Sequence, residues 1–414
     1  MAIHQSEATV VNAADQCAVT GPPSSLDRRF PTYEHLRRRA RWRMPTFSYD
    51  YVDTGVGSEH GLRRNAAALD VIELTPRFGA TPNNPTTAVD LFGRTYAMPV
   101  GVAPMGLTSL AWPGTDECLA QAAQEARIPY VLATGAAMSI ERAAALAPDV
   151  FWFQLYHMPR DDQAVGFDLI SRAKAAGAHA LMLTIDCAAR PKRPRDLRNG
   201  LVPPFRLGPR MALQAAGAPA WLMALARHGI PRFENLVPYI KDGRPNAWRT
   251  AALAVREVTG TFHWEDIARI RECWPRALVV KGLMHPDDAE KAVALGVDGI
   301  CVSNHGARMF DPAPATVDIL PAIAAAIGGR ATVLMDSGVR SGVDVVRARA
   351  LGAKAVFAGR AFLFAAAALG SAGGRHMANT FADEIRNALS FLGAFGIDDV
   401  TSDALWRGPP QAGR

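Results

Sequence analysis

Lysine is scarce in this chain. Only six of 414 residues are lysine (Lys174, Lys192, Lys241, Lys281, Lys291 and Lys354). Lys+Arg nevertheless total 45 against 39 Asp+Glu, so the formal excess of +6 is carried by arginine. Arginine is the planar, bidentate binder of carboxylate and phosphate. The partner could therefore be nucleic acid, a membrane surface or a small anion. Cysteine is scarce too: Cys17, Cys118, Cys187, Cys273 and Cys301 lie far apart, with no C-x-x-C pair. A zinc or iron–sulfur site has no ligand spacing to stand on, and no metal is expected. An odd, sparse set suits a reducing compartment. No apolar run reaches the roughly 18–20 residues of a spanning helix. The N-terminus has no apolar stretch of the secretory kind, so a cytoplasmic location is expected. Disorder is excluded for the bulk of the chain by 49% hydrophobic against 20% charged residues.

What the chain does have is a rhythm. Eight short apolar runs stand out: Met98–Pro104, Tyr130–Gly135, Val150–Tyr156, Ala180–Asp186, Leu278–Leu283, Gly299–His305, Thr332–Gly338 and Ala355–Arg360. Each is continuous rather than alternating, as in a parallel strand buried on both faces. Ala-rich segments at helical spacing separate most of them, among them Glu117–Arg127, Ile140–Ala147, Pro286–Leu295 and Gly342–Leu351. Several of these stop at a glycine: Gly177, Gly296 and Gly352. The length allows two or three domains, or one large α/β barrel with insertions. The alternation predicts the latter, an α/β fold of the (β/α)8 TIM-barrel type. An open doubly wound sheet is the alternative, weakened because no G-x-G-x-x-G follows the first strand. Residues 1–28 read as a flexible lead-in, 29–395 as the barrel with an N-terminal helical segment, and 396–414 as a tail. One gap breaks the pattern: about ninety residues separate the fourth run from the fifth. This long insertion after strand 4, about 190–262, is too long for a structureless loop. Within it, 211–226 is almost wholly uncharged, is flanked by Arg210 and Arg227, and is expected to form one apolar helix.

In a barrel the active site forms at the C-terminal ends of the strands. The polar residues gather there. The runs end in Pro104-Met105-Gly106, Thr134-Gly135, Gln154 and Tyr156, Thr184 and Asp186, Lys281, Ser303-Asn304-His305, Asp336-Ser337-Gly338-Val339-Arg340 and Gly359-Arg360. Gly338-x-Arg340 and Gly359-Arg360 follow strands seven and eight, where barrels frequently hold phosphate; the alternative is that both arginines cap helices. Lys281 lies in an apolar strand and must find an anion or lose its charge. A Schiff-base lysine, a cation beside an electron-accepting ring and a strand-end lysine reaching for solvent all fit. His305 stands three residues before Arg308, a proton acceptor beside a carboxylate clamp, and Asp186 is placed to orient its ring.

These segments resemble those of the FMN-dependent α-hydroxy acid oxidases and dehydrogenases, and most of all the mandelate dehydrogenase branch. The likeness is carried by Tyr49-Asp-Tyr51-Val-Asp-Thr-Gly55, Ala103-Pro-Met-Gly106, Phe153-Gln-Leu-Tyr156, Leu183-Thr-Ile-Asp186, Val280-Lys-Gly282, Val302-Ser-Asn-His-Gly-Ala-Arg308, Asp336-Ser-Gly-Val-Arg340 and Gly359-Arg360. They run in the family's order from about residue 33 to 395. The resemblance implies FMN as cofactor and oxidation of a small (S)-2-hydroxy acid, mandelate- or lactate-like, to the 2-oxo acid. It implies that Tyr51, Arg193 and Arg308 hold the substrate carboxylate and Tyr156 the hydroxyl. His305 would be the base, with Asp186 its partner. Pro104, Met105, Gly106, Thr134, Gln154, Thr184, Lys281, Ser303 and Asp336 would touch the flavin or its ribityl chain, and Gly338, Arg340, Gly359 and Arg360 its phosphate.

There are departures. Ala133 replaces a serine, which removes one hydrogen bond to the flavin. Ser337 replaces a glycine. Gly135 replaces the tryptophan of glycolate oxidase, which implies room for a larger substituent. Gly106 stands where oxidases carry alanine, which points to a dehydrogenase that passes electrons to a quinone or another non-oxygen acceptor; an oxygen-using oxidase making hydrogen peroxide is the alternative. By likeness the insertion is either a membrane-docking segment, placing the protein on the inner face of the cytoplasmic membrane beside a quinone, or a lid over the site. A homotetramer is implied by the family. Nucleic acid is not expected as a partner, because the arginines form no aromatic-interleaved stripe beyond Arg37–Arg43.

Overall fold

The computed structural model describes residues 24–79, 84–201, 208–241, 243–406 and 408. Eight parallel strands close into a barrel: β1 Val100–Val102, β2 Tyr130–Ala133, β3 Phe151–Tyr156, β4 Ala180–Thr184, β5 Ala277–Leu283, β6 Gly299–Val302, β7 Thr332–Asp336 and β8 Ala355–Ala358. They pair in sequence order, and β8 returns to β1. Seven lie inside their apolar runs, and β5 begins one residue before its run, at Ala277. β1 is the most trimmed, to three residues. Pro99 and Pro104 bracket it, and proline has no N–H to give a ladder. The helices between strands appear where the Ala-rich spacing places them, as in Thr115–Ala126, Ile140–Leu146 and Gly342–Ala350. The stops at Gly177, Gly296 and Gly352 have φ of +83°, +79° and +106°. That left-handed conformation is why glycine stands there.

The N-terminal mouth of the barrel is plugged. A hairpin of Val89–Leu91 and Arg94–Tyr96 turns on Phe92 and Gly93, both at positive φ. A two-residue turn of this hand matches strand twist. Phe92 packs 5.6 Å from the buried Trp152, which itself lies tilted against Phe357 at 5.5 Å and donates from Nε1 to Tyr96 Oη at 2.9 Å. A Cβ on Gly299 would sit 2.7 Å from the Phe92 ring, so the missing side chain makes room for the plug.

Both ends of the chain differ from expectation. Residues 1–23 of the lead-in lie outside the described residues, but Ser25–Arg29 is helical. Ser24 Oγ accepts the Asp27 N–H at 3.1 Å while the Asp27 carboxylate accepts the Ser24 N–H at 2.7 Å, a capping box. At the other end, 396–406 is packed rather than free. Ile397 and Val400 are buried, and the Trp406 N–H donates to Glu73 O at 2.9 Å. Its apolar side chains give it surface to bury, which a polar tail would lack.

The insertion between β4 and β5 also differs. The single apolar helix expected over 211–226 is two, Pro209–Ala216 and Pro219–His228. Pro219 cannot donate into a helix, and Ala218 before it is non-helical, with φ −124° and ψ 66°. Trp221 is buried edge-on against Phe47 at 5.7 Å, and Gln214 Oε1 accepts the Phe47 N–H at 2.9 Å. Leu213, Met223 and Ile230 face outward, as do Arg210 and Arg227. Among the described residues no helix is long and apolar enough to cross a membrane.

Candidate active site

The strand ends opposite the plug open into one cavity. Tyr51, Pro104, Met105, Gly106, Tyr156, Thr184, Arg193, Lys281, His305, Arg308, Asp336, Gly338, Arg340, Gly359 and Arg360 all line it. The remaining sequence-predicted residues stand one layer behind. Asp186 backs His305, Ser303 backs Lys281, and Thr134 and Gln154 brace each other beneath Tyr156. Thr134 Oγ1 donates to Gln154 O at 2.7 Å and accepts the Tyr156 N–H at 3.2 Å.

Lys281 shows how the barrel geometry serves chemistry. It pairs with Thr184 on β4 and with Cys301 on β6, and a bulge follows it on β5. The bulge is possible because Gly282 takes φ +106°, and a Cβ there would lie 2.7 Å from that of Asp186. The Nζ lies 2.5 Å from both Asp336 Oδ2 and Ser303 Oγ. Burial opposes its charge, but Asp336 outweighs burial and holds the ammonium protonated. A lysine so held is no nucleophile, and at 4% exposed it does not reach solvent. The remaining reading, a fixed cation at the cavity wall, is the one the geometry keeps.

His305 lies in a strained turn. His305, Gly306 and Ala307 all have φ near +60°, a conformation that non-glycine residues hold only when the surroundings insist. The insistence comes from Asn304. Its Oδ1 accepts the Ala307 N–H at 3.1 Å, and its amide exchanges two hydrogen bonds, 2.7 and 2.9 Å, with Asn65. The ring so placed is 2.7 Å from Asp186 Oδ1 through Nδ1, and lies nearly parallel to Tyr156. Burial works against the Asp186 charge, yet His305 and Lys281 hold its carboxyl below the usual range. The other ring nitrogen of His305 is left free of that pairing, at the cavity side. The Tyr156 hydroxyl is pushed well above its ordinary value by burial and by Asp186, so it remains a donor at neutral pH.

Arginines dominate the lining: Arg193, Arg308, Arg340 and Arg360 with Lys281, against Asp336 alone among acids. Arg308 donates to Tyr51 O at 2.7 Å and lies over the Tyr51 ring. Arg193 donates to Asp196 at 3.2 Å, on a short helix, Pro194–Arg198. That helix is latched to the N-terminal segment by Arg195, which bonds Asp53 at 2.8 Å and also Glu59, and by Asn199 to Asp50 at 2.8 Å. Arg360 donates to Val52 O, Thr54 O and Gly306 O at 2.9, 2.9 and 3.1 Å. Since Val52 sits in the last turn of the helix Thr46–Asp53, the capping reading of Arg360 holds. It does not exclude an anion, because carbonyls carry no full charge. Among the described residues no carboxylate salt-bridges Arg308, Arg340 or Arg360. Burial, with Arg340 and Arg308 nearby, pushes Arg360 down to about 9.

This donor set fits FMN. The buried atoms without a partner include Gln154 Nε2 and Thr184 Oγ1, at the same end as the Lys281 ammonium. Those groups suit the polar edge of a flavin ring. Arg340 and Arg360, beside Gly338 and Gly359, suit a phosphate.

Asn65 had no strong signal in the sequence. Ser337, marked there only as a replacement for glycine, holds φ +76° and bonds both Asp336 Oδ1 (2.8 Å) and the Gly306 N–H (2.9 Å). Cys187 lies 3.9 Å from His305 Nδ1. The space beside Gly135, expected to admit a larger substituent, is bordered by Phe233 from the insertion, 3.2 Å from where a Gly135 Cβ would be.

Comparison with known proteins agrees with this reading. An L-lactate dehydrogenase of Pectobacterium atrosepticum is 38% identical over 377 residues, covering 89% of this chain and 95% of that one. The monotopic membrane protein (S)-mandelate dehydrogenase superposes with a TM-score of 0.86 at 33% identity, over 91% of this chain and 99% of that one. A mandelate oxidase superposes at 0.74 and 32%, over 90% and 97%. The family model described as FMN-dependent dehydrogenase matches residues 40–407, and the chain belongs to that family.

Proposed function

We propose that this FMN-dependent 2-hydroxy acid dehydrogenase works through His305 as base, with Arg193 and Arg308 clamping the substrate carboxylate, and delivers electrons to a quinone at a membrane surface. One observation carries the catalytic part. His305, backed by Asp186 at 2.7 Å, lines the same cavity as the Arg193 and Arg308 side chains.

Each residue then has a task in physical terms. Two arginines fix the carboxylate and so turn the Cα–H toward the flavin site, a positioning effect. The Tyr156 hydroxyl, kept protonated, donates to the substrate oxygen. His305 takes a proton on the nitrogen facing the cavity, and Asp186 compensates the resulting imidazolium. Bound FMN supplies the acceptor for two electrons. Gln154, Thr184 and Ser303 would hold its ring and Asp336 its ribityl chain; Gly338, Arg340, Gly359 and Arg360 would hold its phosphate. Lys281 places a fixed positive charge where electron density accumulates, which is the protein's contribution in a cofactor enzyme.

The acceptor and location rest on the insertion. Its outward Leu213, Met223 and Ile230 stand beside the exposed Arg210 and Arg227, the composition of a segment that lies in a lipid interface. The (S)-mandelate dehydrogenase it resembles is described as a monotopic membrane protein. Subunit association as a tetramer belongs to the same proposal. The test is anaerobic bleaching of the yellow protein by (S)-2-hydroxy acids, then recovery with a quinone analogue or with oxygen. Recovery faster with the quinone supports the reading; rapid peroxide formation in air overturns its acceptor part.

A further inference from the structure

We propose that Asp186, Cys187 and His305 form a site for a thiophilic divalent cation, Zn²⁺ or Cd²⁺, whose occupation switches the dehydrogenase off. The site itself stands on geometry; its effect on turnover rests on the proposed role of His305 as base.

Asp186 and Cys187 follow β4 and His305 stands in the turn after β6, so the cluster is tertiary and shows no ligand spacing in the sequence. Three donor atoms meet there. Cys187 Sγ lies 3.6 Å from Asp186 Oδ1 and 3.9 Å from His305 Nδ1, and Oδ1 and Nδ1 are 2.7 Å apart. Tetrahedral zinc bonds of about 2.0–2.3 Å hold ligand atoms about 3.3 Å (N to O) and about 3.6 Å (S to N or O) apart. The sulfur edges are already near that length, and the third must open by about 0.6 Å, as it does when a metal replaces the shared proton. Asp186 Oδ2 is buried and without a hydrogen-bond partner, so it is spare for the metal or for a metal-bound water. Gly282 leaves the space beside it open: a Cβ there would lie 2.9 Å from that oxygen.

A thiolate and a carboxylate neutralise a dication, and the mixed S, N and O donors suit zinc or cadmium rather than magnesium or calcium. The Lys281 ammonium, which would repel the cation, is paired with Asp336 at 2.5 Å. Burial and the Asp186 charge push the free Cys187 thiol up, so a metal must displace its proton. The same shift makes Cys187 a poor target for oxidation or alkylation, which need the thiolate. Occupation disables the base. A neutral imidazole bound to metal through Nδ1 keeps its proton on Nε2, the nitrogen on the cavity side, which then donates and cannot accept. Asp186, bound to the metal, no longer compensates an imidazolium.

The test uses the FMN-loaded protein. Zn²⁺ at micromolar concentration should slow anaerobic flavin reduction by a 2-hydroxy acid, leave FMN bound, and be reversed by a chelator. Cd²⁺ should raise an ultraviolet thiolate-to-metal charge-transfer band, a readout that needs no turnover. Cys187→Ala and Cys187→Ser, each measured against its own metal-free rate, should lose the band. Their calorimetric Zn²⁺ affinity should fall by no less than the roughly 10–100-fold that loss of an outer-shell partner costs. Cys273→Ser, which removes an exposed thiol, should keep both band and affinity. A band that survives in Cys187→Ala, or equal Zn²⁺ affinity in wild type and both Cys187 variants, overturns the site. A Cys187-dependent band with flavin reduction unslowed overturns His305 as the base, and with it the switch, while the metal site stands.

Discussion

Replacing Arg360 with glutamine separates its two jobs. The guanidinium caps three carbonyls and carries a charge with no carboxylate partner among the described residues. Its depression to about 9 corresponds to a cost on the order of 2–5 kcal/mol, since each unit is about 1.36 kcal/mol and water in the open cavity screens part of it. Arg360→Gln removes that cost and keeps an amide donor for one carbonyl, while the others cost about 1 kcal/mol each. The FMN-free variant should therefore melt within about 2 kcal/mol of FMN-free wild type. The FMN-loaded variant loses a charge-assisted phosphate bond worth about 1.5–3 kcal/mol, so its FMN Kd should rise about 10–100-fold. The pH dependence carries a definite sign. A base whose folded value is depressed destabilises the FMN-free protein at every pH below about 9 and is relieved as pH rises through it. A phosphate needs the protonated form, so FMN affinity should be flat up to about pH 8 and fall above 9, less steeply in the variant. Differential scanning fluorimetry and flavin-fluorescence titration read both quantities. A large loss of stability in the FMN-free variant with an unchanged Kd would refute the reasoning and leave Arg360 a helix cap only.

Other outcomes follow from the same geometry. His305→Gln should retain FMN but lose about 10²–10⁴ in the rate of anaerobic bleaching measured by stopped flow. Asp186→Asn should lose about 10²-fold or more by the same assay; because the Asp186 carboxyl is held low, its stabilising contribution is present above pH ~4 and vanishes as pH falls through its folded value, so the variant's acid-unfolding curve should be flatter. Ser337→Ala keeps the positive φ and loses two hydrogen bonds, for about 1–2 kcal/mol in urea unfolding, whereas Ser337→Gly relieves the φ and should be near neutral. Leu213→Glu combined with Met223→Glu should reduce sedimentation with anionic vesicles at least tenfold while kcat with a soluble acceptor stays unchanged; equal sedimentation would remove the membrane assignment.

The barrel was legible because a strand buried on both faces must be apolar throughout, and eight such runs leave little choice. The rim was legible because ionisable residues at strand ends have few structural excuses. What escaped was tertiary. Asn65 meets Asn304 across 239 residues, and nothing local marks either as half of a pair. Phe233, the neighbour of Gly135, comes from a distant segment that no local pattern ties to it. The break before Pro219 was readable in principle, yet the run's uniform apolarity suggested one helix. Packing of 396–406 depended on a groove that no sequence pattern announces.

The Phe92 plug carries a kinetic meaning. With the far end of the barrel filled by Phe92, Trp152 and Phe357, nothing enters or leaves the cavity on that side. Traffic is confined to the rim. The 2-oxo acid and the electron acceptor then compete for one doorway, which imposes an order of events: product departs before the acceptor docks. Steady-state plots against the two substrates should accordingly run parallel, the mark of a ping-pong scheme written into the floor of the barrel rather than its rim.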